Sequence, residues 1–259
     1  MEMVRILAAL AERPQGEHER MAELLELPAP PPPDAHTGLF DFELHPYASV
    51  HLGAEGMLGG AARDRVAGFW RALRLQPPPE PDHLAALLGL YATLAEAERR
   101  EDDPARRVLR REGRKALLWE HLLTWVPPFL QRVREVGPPF YRAWARTLSE
   151  VLLEEAEELG EASTNLPLHL REAPALPDPR DEGGDVFLQA LLAPARSGFI
   201  LARSDLLRIG RSLGIGLRIG ERRFALESLL SQEPAGVLGW LQEEAERRVQ
   251  EHRGRRAAL

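Results

Sequence analysis

The sequence predicts an all-α protein, a helical bundle with an additional small, mainly helical C-terminal unit. Three observations carry that reading. Apolar residues recur at three- and four-residue spacing along most of the chain. Prolines cluster between those periodic segments rather than inside them. No window of the first 160 residues alternates apolar and polar residues with the period of two that a half-buried strand needs. With 259 residues, 44% hydrophobic and 28% charged, the chain is long enough for one large or two modest domains with a real core.

Val4, Leu7, Ala8 and Leu10, then Met21, Leu24 and Leu25, predict one broken or two short helices over residues 1–27, with Pro14 at the break. Pro28 and Pro30 to Pro33 make a stiff, polyproline-like connector to Leu39-Phe40-Asp41-Phe42, which reads as a loop carrying aromatics. Val66, Phe69, Trp70 and Leu73 share one helical face, and Pro77, Pro78, Pro79 and Pro81 end that helix. Asp82 precedes the periodic run Leu84, Leu87, Leu88, Tyr91 and Leu94 and is expected to cap a helix reaching about Arg100. A helix after Pro104 carries Val108, Leu109, Leu117, Leu118, His121 and Leu122. It is expected to stop near Trp125, because Pro127 and Pro128 disfavour continuation.

After a short segment at 129–136, Phe140, Trp144, Leu148, Val151 and Leu152 mark a further helix; its Glu150, Glu154, Glu155, Glu157 and Glu158 read as a solvated face. Residues 161–183, with Pro167, Pro174, Pro177 and Pro179, read as a linker. Helices are expected at 186–192, 204–213, 224–230 and 237–249, with a glycine-rich turn at 214–220 in which Leu217-Arg218-Ile219 is the one plausible strand. The organisation is therefore a core at 1–160, a linker at 161–183 and a C-terminal unit at 184–259.

Composition removes several chemistries. The absence of cysteine excludes disulfides, thiolate zinc sites and thiol nucleophiles. The eight histidines (18, 36, 45, 51, 83, 121, 169 and 252) have no partners at metal-ligand spacing, and adjacent Glu120 and His121 point about 100° apart on a helix, with no HExxH motif. Ser49 lies in Tyr-Ala-Ser-Val rather than in a Gly-x-Ser-x-Gly elbow. Gly214 to Gly220 lacks the preceding strand and the Lys-Ser/Thr of a phosphate loop. No catalytic residue, metal or cofactor is expected. The first 13 residues are too charged for a signal peptide and no window spans a bilayer, so a cytoplasmic, soluble protein is expected.

Two polar clusters stand out. The net charge of −7 argues against wholesale polyanion binding, yet residues 203–223 carry Arg203, Arg208, Arg211, Arg218, Arg222 and Arg223 against Asp205 and Glu221. Such a patch suits a nucleic-acid-associated or regulatory helical protein, although Phe224-Ala-Leu-Glu-Ser-Leu-Leu offers no polar base-reading face. The plainer alternative is a solvated or internally paired arginine face. Glu80-Pro-Asp-His83 places acids and an imidazole on a Pro-locked turn at the positive end of a long helix. It is either a cap with a neighbouring histidine or a preorganised acidic hinge for a cationic ligand.

The order of these segments resembles the TorD/DmsD/NarJ family of molybdoenzyme maturation chaperones. Leu39-Phe40, then Pro46-Tyr-Ala-Ser-Val50, Leu52-Gly53 and Leu58-Gly-Gly60, resemble the family's aromatic loop. Glu80-Pro-Asp-His83 resembles its E-P-x-D-H hinge without the intervening residue, His121-Leu-Leu-Thr-Trp125 with Phe129 its H-L-x-x-W segment, and Pro139-Phe-Tyr-Arg142 its P-F-Y-R helix start. The resemblance implies an all-helical cytoplasmic chaperone, not an enzyme. Such a chaperone binds the twin-arginine signal peptide and apo form of a molybdopterin-dependent oxidoreductase subunit and assists cofactor insertion before export. Carried over residue by residue, it points to Leu39, Phe40, Gly60, Asp82 and His83, which Asp41, Phe42, Tyr47, Glu80 and Trp125 complete as the candidate signal-peptide-binding set. His36 and Leu44 replace tryptophans of some relatives, and residues 184–259 exceed the short family members. The Pro-rich hinge allows a domain-swapped homodimer as well as a monomer.

Overall fold

The computed structural model describes residues 1–54, 56–160, 167, 171–218 and 220–257, with side chains to residue 251. It is all-α, with no strand among the described residues. The core comprises α1 (Glu2–Ala9), α2 (Glu17–Leu24), α3 (Pro33–His36), a π-helical turn (Thr37–Glu43), α4 (Ala48–Leu52), α5 (Gly60–Ala72), α6 (Leu84–Arg100), α7 (Pro104–Ala116), a second π-helical turn (Leu117–Leu122), α8 (Val126–Val136) and α9 (Pro139–Leu159). Beyond it lie α10 (Pro179–Glu182), α11 (Gly184–Leu192), α12 (Pro194–Ser197), α13 (Arg203–Leu213), α14 (Arg222–Gln232) and α15 (Pro234–Ala257). Residues 161–166 and 168–170 of the expected linker, and Ile219 of the expected strand, lie outside the described residues; Leu217 and Arg218 belong to no strand.

α6 is the axis of the core. Its apolar positions Leu84, Leu87, Leu88, Tyr91 and Leu94 are buried, and it packs against α1 on one side and α7 on another. The indole N–H of Trp144 on α9 donates to the Leu7 carbonyl of α1 at 2.9 Å, so a buried polar group is satisfied while two distant helices are joined. Polar contacts close the far end. Buried Arg114 of α7 reaches Glu98 on α6 at 3.1 Å and Glu158 on α9 at 2.7 Å, and the Tyr91 hydroxyl donates to Glu155 at 2.6 Å. Part of the acidic face of α9 is thus consumed internally rather than solvated.

A second apolar cluster, built on Leu188, Phe199, Leu201, Leu206, Ile209, Leu226, Leu229 and Val237, lies in the C-terminal unit. Ile200 and Ala202, just before α13, belong instead to the main core, so the two clusters meet there. The joint is ionic as well. Arg132 of α8, 2% exposed, donates from one guanidinium nitrogen to both oxygens of fully buried Asp205 on α13, at 2.9 and 2.7 Å. Arg248 of α15 donates to Glu244 and to the Ile200 carbonyl. Burial pushes the Glu244 carboxyl up, but hydrogen bonds from Arg247 and Arg248 and their charges hold it down at about 2.

Several local expectations require correction. The aromatic loop at 37–43 is a π-helical turn, closed by Leu44 N–H donating to Leu39 C=O five residues back at 2.7 Å. The helical run after Pro104 ends at Leu122, close to Trp125 as expected, but the segment at 129–136 is helical too: Pro127 and Pro128 occupy the first turn of α8, where a missing N–H costs no hydrogen bond. Val108 and Leu109 point to solvent, because α7 turns its Arg114 side inward. Asp82 does not cap α6: that role falls to His83, whose Nδ1 accepts the Ala85 N–H at 3.2 Å.

Candidate functional site

The proline segment after α5 brings the chain back against the loop that follows the first π turn. Tyr47 and His83 form an isolated antiparallel bridge, with Ala48 N–H donating to Asp82 C=O at 3.0 Å and Leu84 N–H to Pro46 C=O at 2.8 Å. The buried Asp82 carboxylate then accepts the Ser49 N–H at 3.1 Å, satisfying an otherwise orphaned donor at the start of α4. Ser49 Oγ in turn accepts the Gly59 N–H at 3.2 Å. Gly59 and Gly60 take positive φ of 89° and 67°, a conformation that glycine adopts without strain, and Gly60 opens α5. Loop, hinge and the start of α5 therefore form one unit through backbone hydrogen bonds.

On its outer side, the Tyr47 hydroxyl donates to Glu80 at 3.0 Å and the Tyr47 ring stands edge-on to the His83 imidazole at 4.8 Å. Burial pushes His83 below the usual histidine value, against the pull of Glu80, Glu12 and Asp82, so the imidazole is neutral at pH 7 and free to cap α6 as an acceptor. Burial and the adjoining Glu80 carboxylate push the Tyr47 phenol up, which keeps it a hydrogen-bond donor.

A cleft of 730 Å³ opens beside this hinge. Trp70, Leu75, Pro78, Pro79 and Leu90 give it apolar walls; Glu12, Glu80 and His83 add polar groups. Arg5 also lines it, but is held by Glu96 through two hydrogen bonds at 3.1 and 3.0 Å. The unspent charge of the cleft is negative. An apolar trough with accessible carboxylates suits a peptide that combines a cation with an aliphatic stretch.

The structure divides the ten expected site residues. Glu80 and His83 line this cleft, Tyr47 touches both without lining it, and Asp82 is buried in the hinge and bonded to Ser49. Leu39, Phe40 and Trp125 are in the core instead of lining a groove. Phe40 packs edge-on against Tyr141 at 4.9 Å and His36 at 5.0 Å, and Trp125 stacks on His51 at 4.9 Å. The π turn rolls Leu39 and Phe40 inward, so their contribution is to pack the loop. Asp41 and Phe42, the latter 55% exposed, border a separate cleft of 390 Å³ that also involves His45, Met57 and, from the C-terminal unit, Arg203 and Arg222. Gly60 is exposed at the start of α5. Glu12, Trp70 and Leu75 carry no motif of their own, and the packing of α1 on α6 is what brings Glu12 to the hinge.

The arginines of residues 203–223 do not act as one face. Arg208 pairs with Asp205 at 3.3 Å and lies over the Trp240 ring, Arg222 donates to the Leu201 carbonyl at 3.1 Å, and Arg223 pairs with Asp185 at 3.3 Å. Among the described residues no three His, Asp or Glu side chains could hold a metal ion together, and no helix is long and apolar enough to cross a membrane.

Residues 34–131 match the family model described as nitrate reductase delta subunit. The match makes this segment similar to the NarJ/TorD-like family of molybdoenzyme maturation chaperones. It runs from α3 into α8, so it contains both π turns, the Tyr47–His83 bridge and the acidic hinge. The end of α1 with Glu12, the Pro139-Phe-Tyr-Arg142 start of α9 and the C-terminal unit lie outside the matched residues. No curated protein matches the chain.

Proposed function

We propose that the protein is a cytoplasmic chaperone that binds the twin-arginine signal peptide and apo form of a molybdopterin-dependent oxidoreductase subunit, holding it while the cofactor is inserted and before export. The observation that carries this reading is the hinge cleft: apolar walls and carboxylates without arginine partners, beside a hinge tied together by the Ser49 N–H to Asp82 bond. A signal peptide supplies the complement, two guanidinium groups followed by a short apolar stretch.

The energetics suit reversible capture. Burying roughly 400 Å² of apolar peptide at about 25 cal/mol/Å² yields about 10 kcal/mol gross, most of which is offset by ordering the peptide. Charge-assisted hydrogen bonds of about 1.5–3 kcal/mol each then fix the register of the arginines. Micromolar affinity follows, tight enough to hold a client and weak enough to release it.

Calorimetric titration with a twin-arginine peptide from a molybdoenzyme of the same genome, beside an Arg-Arg to Ala-Ala control, tests the proposal. Binding confined to the arginine-bearing peptide is the expected result. Equal affinity for the two peptides would reject the hinge cleft as the recognition site.

A further inference from the structure

We infer that Glu12 is a second cation acceptor and specificity-determining residue of the hinge cleft, so that the two arginines of a client peptide are divided between Glu12 and Glu80. The inference rests on reading the cleft as the signal-peptide site. Glu12 reaches the cleft from the end of α1, a different wall from the proline hinge that carries Glu80. Its carboxylate is exposed and makes no side-chain hydrogen bond or ion pair among the described residues. Of the nearby cations, Arg5 is paired with Glu96, while exposed Arg13 donates to the neutral Thr37 hydroxyl at 3.1 Å and keeps its charge.

α1 ends at Ala9 with no basic residue in its last turn, and Glu12 lies three residues beyond that carbonyl-rich end. Helix end and carboxylate thus add their negative potential at the rim of the same cleft. A guanidinium placed there meets both, whereas an aliphatic residue relieves neither. Glu80 differs in being oriented in advance, since the Tyr47 hydroxyl occupies one of its oxygens and leaves the other for a ligand. That both carboxylates act on the same small volume is seen at His83, where their charges oppose the effect of burial.

Two acceptors on separate walls select for two adjacent cations in a way that one acceptor does not. The test is a double-mutant cycle by calorimetry on the full chain: wild type, Glu12→Gln and Glu80→Gln, each against the Arg-Arg peptide and its two single Arg→Ala variants. Glu12→Gln is expected to weaken the Arg-Arg peptide about tenfold, the loss of one charge-assisted contact. It should also abolish the penalty for replacing one particular arginine while keeping the penalty for the other, with Glu80→Gln showing the reverse. A Glu12→Gln protein within about twofold of wild type, or one weakened equally toward all three peptides, would overturn the assignment while wild-type discrimination leaves the site itself standing. If wild type does not distinguish arginine from alanine at either position, the reading of the cleft fails and the assignment with it.

Discussion

Replacing Asp205 by alanine removes a single carboxylate on which four hydrogen bonds from three residues converge. Arg132 supplies two contacts at 2.9 and 2.7 Å, Arg208 a third at 3.3 Å, and the Ala202 N–H at the start of α13 a fourth at 2.9 Å. Arg132 would be left with Glu135 alone, and its Nε already lacks a partner. Truncating one member of a buried pair costs about 3–5 kcal/mol, because the remaining charge stays desolvated. In urea, with an m-value of about 3 kcal/mol/M, the midpoint should fall by roughly 1 to 1.7 M. Asp205→Asn retains an oxygen for the Ala202 N–H and should fall between alanine and wild type. Arg132→Met combined with Asp205→Ala, which strands neither charge, should recover a large part of the loss. A cost below about 1 kcal/mol for Asp205→Ala, the range of an exposed ion pair, would refute the claim that this pair holds the C-terminal unit on the core.

His51 is buried, stacked on Trp125, and its desolvation lowers its pKa to about 4; the stability this brings is complete above the unfolded value near 6.5 and is lost as the pH falls toward 4. His51→Phe should remove up to about 3 kcal/mol of that acid dependence, read as a flatter plot of unfolding free energy between pH 4 and 6.5. Asp82→Ala strands the buried Ser49 N–H and should cost about 1–3 kcal/mol in a denaturant titration, while Asp82→Asn keeps an acceptor and should cost under about 1 kcal/mol. Tyr47→Phe frees Glu80 from its orienting hydroxyl; peptide affinity in the calorimetric assay should fall about two- to tenfold with little change in melting temperature.

Helical periodicity was sufficient to locate α5, α6, α9 and the four longer helices of the C-terminal unit, because each buries one continuous apolar stripe. The errors share a different physical origin. Asp82 and His83 are both competent caps for α6, and the choice between them depends on Ser49, 33 residues earlier, whose N–H claims the aspartate. A π turn has an i→i−5 hydrogen bond over only seven residues, too short to leave a periodic signature, so Leu39 and Phe40 read as loop aromatics when they are core residues. Arg132 reads as an ordinary charged helix position until Asp205, 73 residues later, is brought against it. Tyr47, Glu80 and His83, singled out by motif, do meet at the hinge, whereas Glu12, Trp70 and Leu75 join the cleft only through long-range packing.

Glu80 and Asp82 are separated by one proline yet carry opposite burdens. Asp82 is buried and committed to the Ser49 N–H, so it fixes the geometry of the hinge and is unavailable to a ligand. Glu80 is exposed, holds only the Tyr47 hydroxyl and keeps most of its hydration. A fully desolvated carboxylate meeting an arginine would make a pair whose strength depends steeply on geometry. An exposed one contributes register and modest free energy, leaving the apolar walls to supply the remainder. If the protein acts as the proposed chaperone, tight binding would hinder the surrender of its client. On the proposed reading, the buried acid fixes the hinge, the exposed acid meets the ligand in a shallow electrostatic well, and Glu12 on a second wall would deepen that well only for a ligand carrying two cations in the right register.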